Sequence, residues 1–188
     1  MRASLVLIIC LSCGLIIVSC KKSNSSSSSS NAVTGTYTFV NMNVQSKETQ
    51  NEANGITAVA VSNYITQNNT GTIQFTTDSM AANGVGYSVD TSVITSFYLS
   101  GTLYASDTTA FTATVPATST TQAYKLVGTD SLYFPNGGLI PAGLTSSGVG
   151  QGARFIVTGD TLKLYTSASD TASGVIQTGS AVITLLKH

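Results

Sequence analysis

The chain has no tryptophan, a single histidine and three cysteines, and only 9% of its 188 residues are charged. Each shortage removes a class of chemistry. The histidine is His188, the last residue. Chain ends are rarely ordered, so it is expected to fray, and a hydrolytic triad built on histidine as general base is not expected. No Gly-x-Ser-x-Gly elbow is present either. The cysteines are Cys10, Cys13 and Cys20, all at the front, so the remainder has no thiol for a disulfide, a metal or a nucleophile. No Asp-x-Asp pair offers a calcium loop, and no metal or cofactor is expected. Paired carboxylates of a glycosidase need not be close in sequence. The chain has six aspartates and two glutamates, and most of the aspartates sit in expected turns, so it is not read as an enzyme. From Ala32 onward, Lys47, Lys125, Arg154, Lys163 and Lys187 face eight acids, the wrong balance for a nucleic-acid partner.

What is present begins with an address. Arg2 precedes an apolar run of about 14 residues, Leu5 to Val18. That length suits a secretory signal and falls short of the roughly 20 residues of a spanning helix. Ile17-Val18-Ser19-Cys20 closes the run. These four residues resemble the lipobox of bacterial lipoproteins: an aliphatic residue three before the cysteine, a small one just before it, then the cysteine. Cys10 follows the bulky Ile9, and Cys13 has Cys10 at its aliphatic position, so Cys20 alone fits. The resemblance implies cleavage after residue 19, lipidation of Cys20, and a membrane partner through that lipid anchor. The alternative is an ordinary secretory signal or anchor that ends in cysteine. Lys21 follows the cysteine, without the acid that holds some lipoproteins in the inner membrane, so the resemblance points to the outer membrane of the cell envelope.

Residues 20–31 read as a tether. Lys21-Lys22-Ser23-Asn24, six serines and Asn31 cannot bury enough apolar surface to order themselves. A flexible coil of that length spans on the order of 18 Å. Residues 32–188 then form one domain of ordinary size. Thr, Ser, Gly, Val and Tyr dominate it, which favours strands, and no long period-3.6 pattern is present.

Tyr37 and Phe39 alternate with Thr36 and Thr38, and Met42 and Val44 continue in the opposite phase. The slip at Val40-Asn41 predicts a bulge that bends the strand. Lys47 to Asn54 is polar and reads as a loop or short helix. Ile56 to Ile65 reads as a strand ended by Gln67-Asn-Asn-Thr-Gly71. Thr72–Thr77, Val85–Val89, Val93–Leu99, Thr109–Val115 and Ala181–Leu186 are further strand candidates. Two hairpins are clearer. Ala123–Val127 turns through Gly128-Thr-Asp130 into Ser131–Phe134, and Arg154–Val157 turns through Thr158-Gly-Asp160 into Thr161–Tyr165. Ile73–Phe75 with Thr77–Met80 is a weaker third.

Gly35-Thr36-Tyr37 and Gly159-Asp160-Thr161-Leu162 resemble the motifs of lipocalin-like lipoproteins, in which a Gly-x-Trp strand opens a meander of hairpins. Here Tyr37 stands where that family has tryptophan. The resemblance implies a barrel with a ligand mouth and an arginine packed over the ring of residue 37, and Arg154 is the only arginine of the domain.

Two motifs stay apart from that frame. Asn136 to Ala153 is rich in glycine, but Gly148-Val-Gly150-Gln-Gly152 lacks dinucleotide-fingerprint spacing and runs into a strand. It reads as a long loop, or as a lid with Leu139, Ile140 and Leu144 beneath it. Each of the six aspartates is followed by Ser or Thr, and five of them, Asp78, Asp107, Asp130, Asp160 and Asp170, open an Asp-(Ser/Thr)-x triplet in which x is Met, Thr, Leu or Ala. These triplets resemble the acceptor of an O-glycosylation system for exported bacterial proteins, with Ser79, Thr108, Ser131, Thr161 and Thr171 as candidate acceptors. Turn chemistry alone also explains Asp-Ser and Asp-Thr.

The fold expected is therefore all-β: an antiparallel meander barrel, lipocalin-like, of about eight to ten strands, with a two-sheet sandwich as the alternative. Two functions fit it. One is a binding module for a small apolar ligand, lined by Tyr37, Phe39, Phe75, Tyr87 and Phe155, residue types that are more often plain core. The other is a structural or adhesive module of the envelope without such a ligand.

Overall fold

The computed structural model describes residues 32–52, 55–137, 150–172 and 174–188. The signal, Cys20, the tether and the lid residues Leu139, Ile140 and Leu144 lie outside the described residues.

Ten antiparallel strands form one sheet: β1 (Gly35–Asn51), β2 (Ile56–Ile65), β3 (Gln67–Phe75), β4 (Ser79–Leu99), β5 (Thr102–Ala123), β6 (Lys125–Val127), β7 (Ser131–Phe134), β8 (Gln151–Thr158), β9 (Thr161–Ala172) and β10 (Val175–Lys187). Only Thr66 separates β2 from β3, and both lie between β1 and β4. Only Tyr124 separates β5 from β6. The chain thus makes eight passes, each hydrogen-bonded to the next, and β10 returns to β1. This is a closed up-and-down barrel, the fold class expected from the strand and turn pattern.

A belt of irregularities bends the sheet enough to close it. The register between β1 and β10 slips between Phe39 and Asn41, where the phase change in the sequence lies. At the same level on the other side, Thr66 bridges the kink between β2 and β3. Its N–H donates to the Met42 carbonyl at 2.9 Å, and its hydroxyl accepts from the Met42 N–H at 2.9 Å. Asn68 and Gly71 absorb the extra chain with φ of 50° and 96°. A Cβ on Gly71 would lie 2.5 Å from the Gly84 carbonyl oxygen, so only glycine fits. The β4–β5 register shifts here too, between Ala82 and Tyr87. Bulges of this kind increase twist and turn corners in barrels.

Below the belt all eight passes are present and the lumen is packed. Rings of Tyr37, Phe75, Tyr124 and Phe134 follow one another at centroid distances of 6.0, 5.8 and 5.9 Å. That file of rings runs from β1 to β7 and seals the seam where β6 meets β7. Met80, Leu132, Leu162, Leu164, Ile183 and Leu185 fill the remainder and are almost inaccessible. Each such side chain contributes about 1.5–3 kcal/mol through burial.

The hairpin corners at this end share one device. The carbonyls of Asp78, Asp130 and Asp160 accept hydrogen bonds from the backbone N–H of Tyr124, Phe155 and Lys187. Three of the six Asp-(Ser/Thr) pairs, at Asp78, Asp130 and Asp160, are therefore corners stitched to a later part of the chain. Above the belt the barrel opens. β7 has four residues, about 13 Å, whereas β4 and β5 have 21 and 22 and run on for tens of ångströms. What continues is a six-stranded sheet in the order β5-β4-β2-β1-β10-β9.

Several expectations are corrected. Lys47 to Asn51 is neither loop nor helix but the outer half of β1, paired on both sides with β2 and β10. Gln67–Gly71 does not end a strand but begins β3. Val85–Val89 and Val93–Leu99 are one strand, and Thr109–Val115 is the middle of another. Gln151–Ala153 belongs to β8 rather than to the glycine-rich loop. Arg154 does not cover Tyr37; its guanidinium sits 5.3 Å from the Tyr165 ring, on the cross-strand neighbour with which it is in register. His188 is not frayed: its N–H donates to the Thr36 carbonyl, and its ring bonds the Thr38 hydroxyl at 2.6 Å.

Candidate functional site

The five aromatic residues marked by sequence as a ligand lining are all core. Tyr37, Phe39, Phe75, Tyr87 and Phe155 are 1–5% exposed. Tyr37 packs edge-on to Phe75 and Phe39 edge-on to Tyr87 at 6.2 Å, and Phe155 belongs to the same buried cluster. Burial raises Tyr37, Tyr87 and Tyr124 above the ordinary tyrosine value of 10, and for Tyr124 the Asp78 carboxylate and the Tyr37 ring add to the effect of burial. These hydroxyls stay neutral through the physiological range.

The described surface carries a different feature. On the outer face of the six-stranded sheet, β1 lies between β2 and β10. Gln45 is in register with Asn63 and Ser180, and Lys47 with Val61 and Thr178. Side chains in register share a face, and Val44, one residue away, faces the core. Gln45, Lys47, Val61, Asn63, Thr178 and Ser180 thus project together, and the alternate positions Ser46 and Gly179 complete the lining of an open groove of about 490 Å³.

Its chemistry is polar and adaptable. Lys47 offers an ammonium, Gln45 and Asn63 offer amides with both donor and acceptor atoms, and Ser180 offers a hydroxyl. Among the described residues, none of these four side chains is engaged in a hydrogen bond. The Thr178 hydroxyl donates to the Lys47 carbonyl at 3.5 Å, and the Thr91 hydroxyl to the Asn63 carbonyl at 3.0 Å, so the groove's backbone is held from both flanks. Val61 gives an apolar patch between the polar groups. Ile94 and Ile176, each more than two-fifths exposed, extend the apolar surface along the same face. Among the described residues, no three His, Cys, Asp or Glu side chains lie close enough together to hold a metal ion. The groove can hold a hydroxyl-rich or anionic chain by hydrogen bonds and one charge.

Sequence reasoning missed these residues because both faces of β1 are polar beyond Val44. Gln45, Lys47 and Thr49 face one way and Ser46, Glu48 and Gln50 the other, so no alternation marks a strand. The one available signal was Ile56–Val61 opposite, an apolar-rich run that needs a partner.

The five acceptor candidates separate into two groups. Ser79, Ser131 and Thr161 stand at the stitched corners. The Ser79 hydroxyl is 2.6 Å from that of Thr76, and the Ser131 hydroxyl donates to the Asp130 carboxylate at 3.1 Å. Asp107 and Asp170 lie within strands, so turn chemistry does not account for them. Thr108 and Thr171 are exposed, on β5 and β9, the two edge strands of the open sheet.

Comparison with protein-family models, with curated proteins and with solved structures found no match to this chain.

Proposed function

We propose that this protein is a lipid-anchored module of the cell envelope that works through the outer face of its open sheet, with the barrel as a solid base. The filled lumen carries this reading. A carrier of a small apolar ligand needs free volume, and Tyr37, Phe39, Phe75, Tyr87 and Phe155 are buried within one packed core cluster. The adhesive reading needs only a rigid body and an exposed face.

The polarity of the molecule supports it. Val33 and the stitched corners lie at the barrel end, and the strand tips at Asn51, Leu99 and Ala172 lie at the other. A tether joined before Ala32 leaves from the barrel end, so the open sheet and its groove are carried away from the anchor. Ile17-Val18-Ser19-Cys20 supports an anchor at Cys20, and the outer membrane is the address that Lys21 favours. The ligand class that fits the groove is an acidic, hydroxyl-rich polysaccharide: Lys47 for a carboxylate, Gln45, Asn63 and Ser180 for hydroxyls.

The test uses the full chain extracted from native membranes. Native mass spectrometry is expected to give the lipidated chain without a bound small apolar molecule. Retention on immobilised polygalacturonate, with neutral dextran as control, is expected to fall with salt and to drop about fivefold in Lys47→Met, the share of one exposed charge-assisted contact. A stoichiometric apolar molecule in the spectrum, or equal retention of Lys47→Met, overturns the reading.

A further inference from the structure

Among the described residues, the sheet has one long strand edge that no other strand covers. β5 pairs with β4 along one side, and among the described residues no strand pairs with its other side. Ala105 to Val115 is in unbroken register with Phe97 to Tyr87, so this stretch is free of bulges. Its sequence, Ala-Ser-Asp-Thr-Thr-Ala-Phe-Thr-Ala-Thr-Val, contains no lysine, arginine, glycine or proline. Edge strands are normally blunted by lysine, proline or a bulge. Here such devices bracket the stretch, a register slip at Phe97/Tyr98 with the exposed Tyr104 on one side and Pro116 on the other, and within it only the Asp107 carboxylate covers the edge, accepting from the Thr108 N–H at 2.8 Å. Eleven residues of edge offer about ten main-chain hydrogen bonds to an added strand.

We propose that this edge pairs with the same edge of a second copy of the chain, antiparallel and centred on Ala110. That register sets Thr109 opposite Phe111, Thr108 opposite Thr112, and Asp107 opposite Ala113 of the other copy. The only charge in the stretch thus meets a neutral small residue. The two Asp107 side chains stand six residues apart, about 20 Å, beyond the range of unscreened repulsion. The two Phe111 rings become diagonal neighbours across the two-fold axis, about 7–8 Å apart and on the face that already packs against the core. Because the same edge is used twice, the pair is closed, and filaments are not formed.

The geometry also sets direction. β5 runs from the tips towards the barrel, so an antiparallel partner is inverted, with its barrel end at the first copy's tips. If both copies are anchored at Cys20, their tethers leave from opposite ends and the pair joins two facing membranes. That consequence rests on the anchor reading above; the pairing itself does not.

Sedimentation velocity of the full chain in detergent tests the pairing. The native chain is expected to dimerise. Thr108→Lys with Thr112→Lys sets like charges opposite one another twice and is expected to weaken association about tenfold. Thr108→Lys with Thr112→Glu sets opposite charges there and is expected to restore it. Both threonines are exposed on the outer face, so circular dichroism should not distinguish the three chains. A monomer at every concentration, or equal dimerisation of the two charged variants, overturns the proposal. Protection of the Ala105–Val115 amides from exchange in membranes, without a dimer, assigns the edge to a different chain and also overturns it. Vesicles carrying the anchored protein are expected to cluster. A detergent dimer whose vesicles stay dispersed keeps the pairing and removes the anchor geometry.

Discussion

Two halves of the same strands behave differently on either side of the belt at Val40, Thr66, Gly71 and Gly84. On the barrel side, β1 carries Tyr37 and Phe39 inward, and the sheet closes around a core of large side chains. On the far side, β1 carries Gln45 to Gln50, polar on both faces, and the sheet stays open. Backbone pairing is equally regular in both. The difference teaches that hydrogen-bonded register defines these strands along their whole length, while the large buried side chains gather at the barrel end and the open sheet buries only smaller ones such as Ala58, Ala60, Ser62 and Val93. Function is therefore more readily placed on the end that buries the smaller share of side chains.

The sharpest way to break that comparison is to empty the core. Phe75 touches Tyr37 and Tyr124 and is 1% exposed. Phe75→Ala removes the middle of the ring file and is expected to cost about 3–5 kcal/mol in denaturant titration. Lys47→Met, on the same sheet above the belt, is expected to stay within about 0.5 kcal/mol. Equal costs at the two positions would mean that the open sheet is held by packing as tightly as the barrel.

A smaller loss is expected at the belt itself. Gly71 has φ of 96°, and its missing Cβ would meet the Gly84 carbonyl oxygen and carbon and the Val85 nitrogen at 2.5–2.6 Å. All three are backbone atoms, so they cannot swing aside. Gly71→Ala combines left-handed strain with forced separation of β3 and β4, and a cost of about 2–4 kcal/mol follows. Gly84→Ala has open space at its Cβ and pays only for its φ of 61°, about 1 kcal/mol. Amide exchange should show the β3–β4 pairs near Thr72 and Asn83 loosening first in Gly71→Ala.

The barrel was legible in the sequence, and the open sheet was not. Tyr37 and Phe39 with Met42 and Val44 in the shifted phase gave both the strand and its bulge, because each inward residue is large and apolar. The corners at Asp78, Asp130 and Asp160 were marked by turn chemistry that is local. Beyond Val44 the inward positions are Ser46, Glu48 and Gln50, and nothing in one strand's composition records that two neighbours pair with it. Gln67–Gly71 has the composition of a turn yet is the kinked start of β3, since Asn68 and Gly71 are used for a bend within a strand rather than a reversal. The groove, built where the polar half of β1 meets β2 and β10, could not be assembled before the register of these three strands was known.

The mildest test probes the barrel seam through its tyrosines. The Tyr124 hydroxyl donates to the Thr76 carbonyl, tying the junction of β5 and β6 to the β3–β4 corner. Tyr124→Phe is expected to cost about 1 kcal/mol at neutral pH, the worth of one hydrogen bond. The pH dependence has a definite sign. Burial holds Tyr37, Tyr87 and Tyr124 above 10 in the folded state, whereas an unfolded tyrosine titrates near 10. Below pH 10 both states keep the proton and stability is unaffected by these groups. Above it the unfolded chain releases protons that the folded chain retains, so stability falls as pH climbs from about 10 towards the raised folded values. Tyr124→Phe removes one of the three titrating groups and is expected to flatten that alkaline decline while lowering the neutral plateau. An unchanged alkaline slope would mean that the ring file opens to solvent at the seam, so that Tyr124 titrates as it does in the unfolded chain.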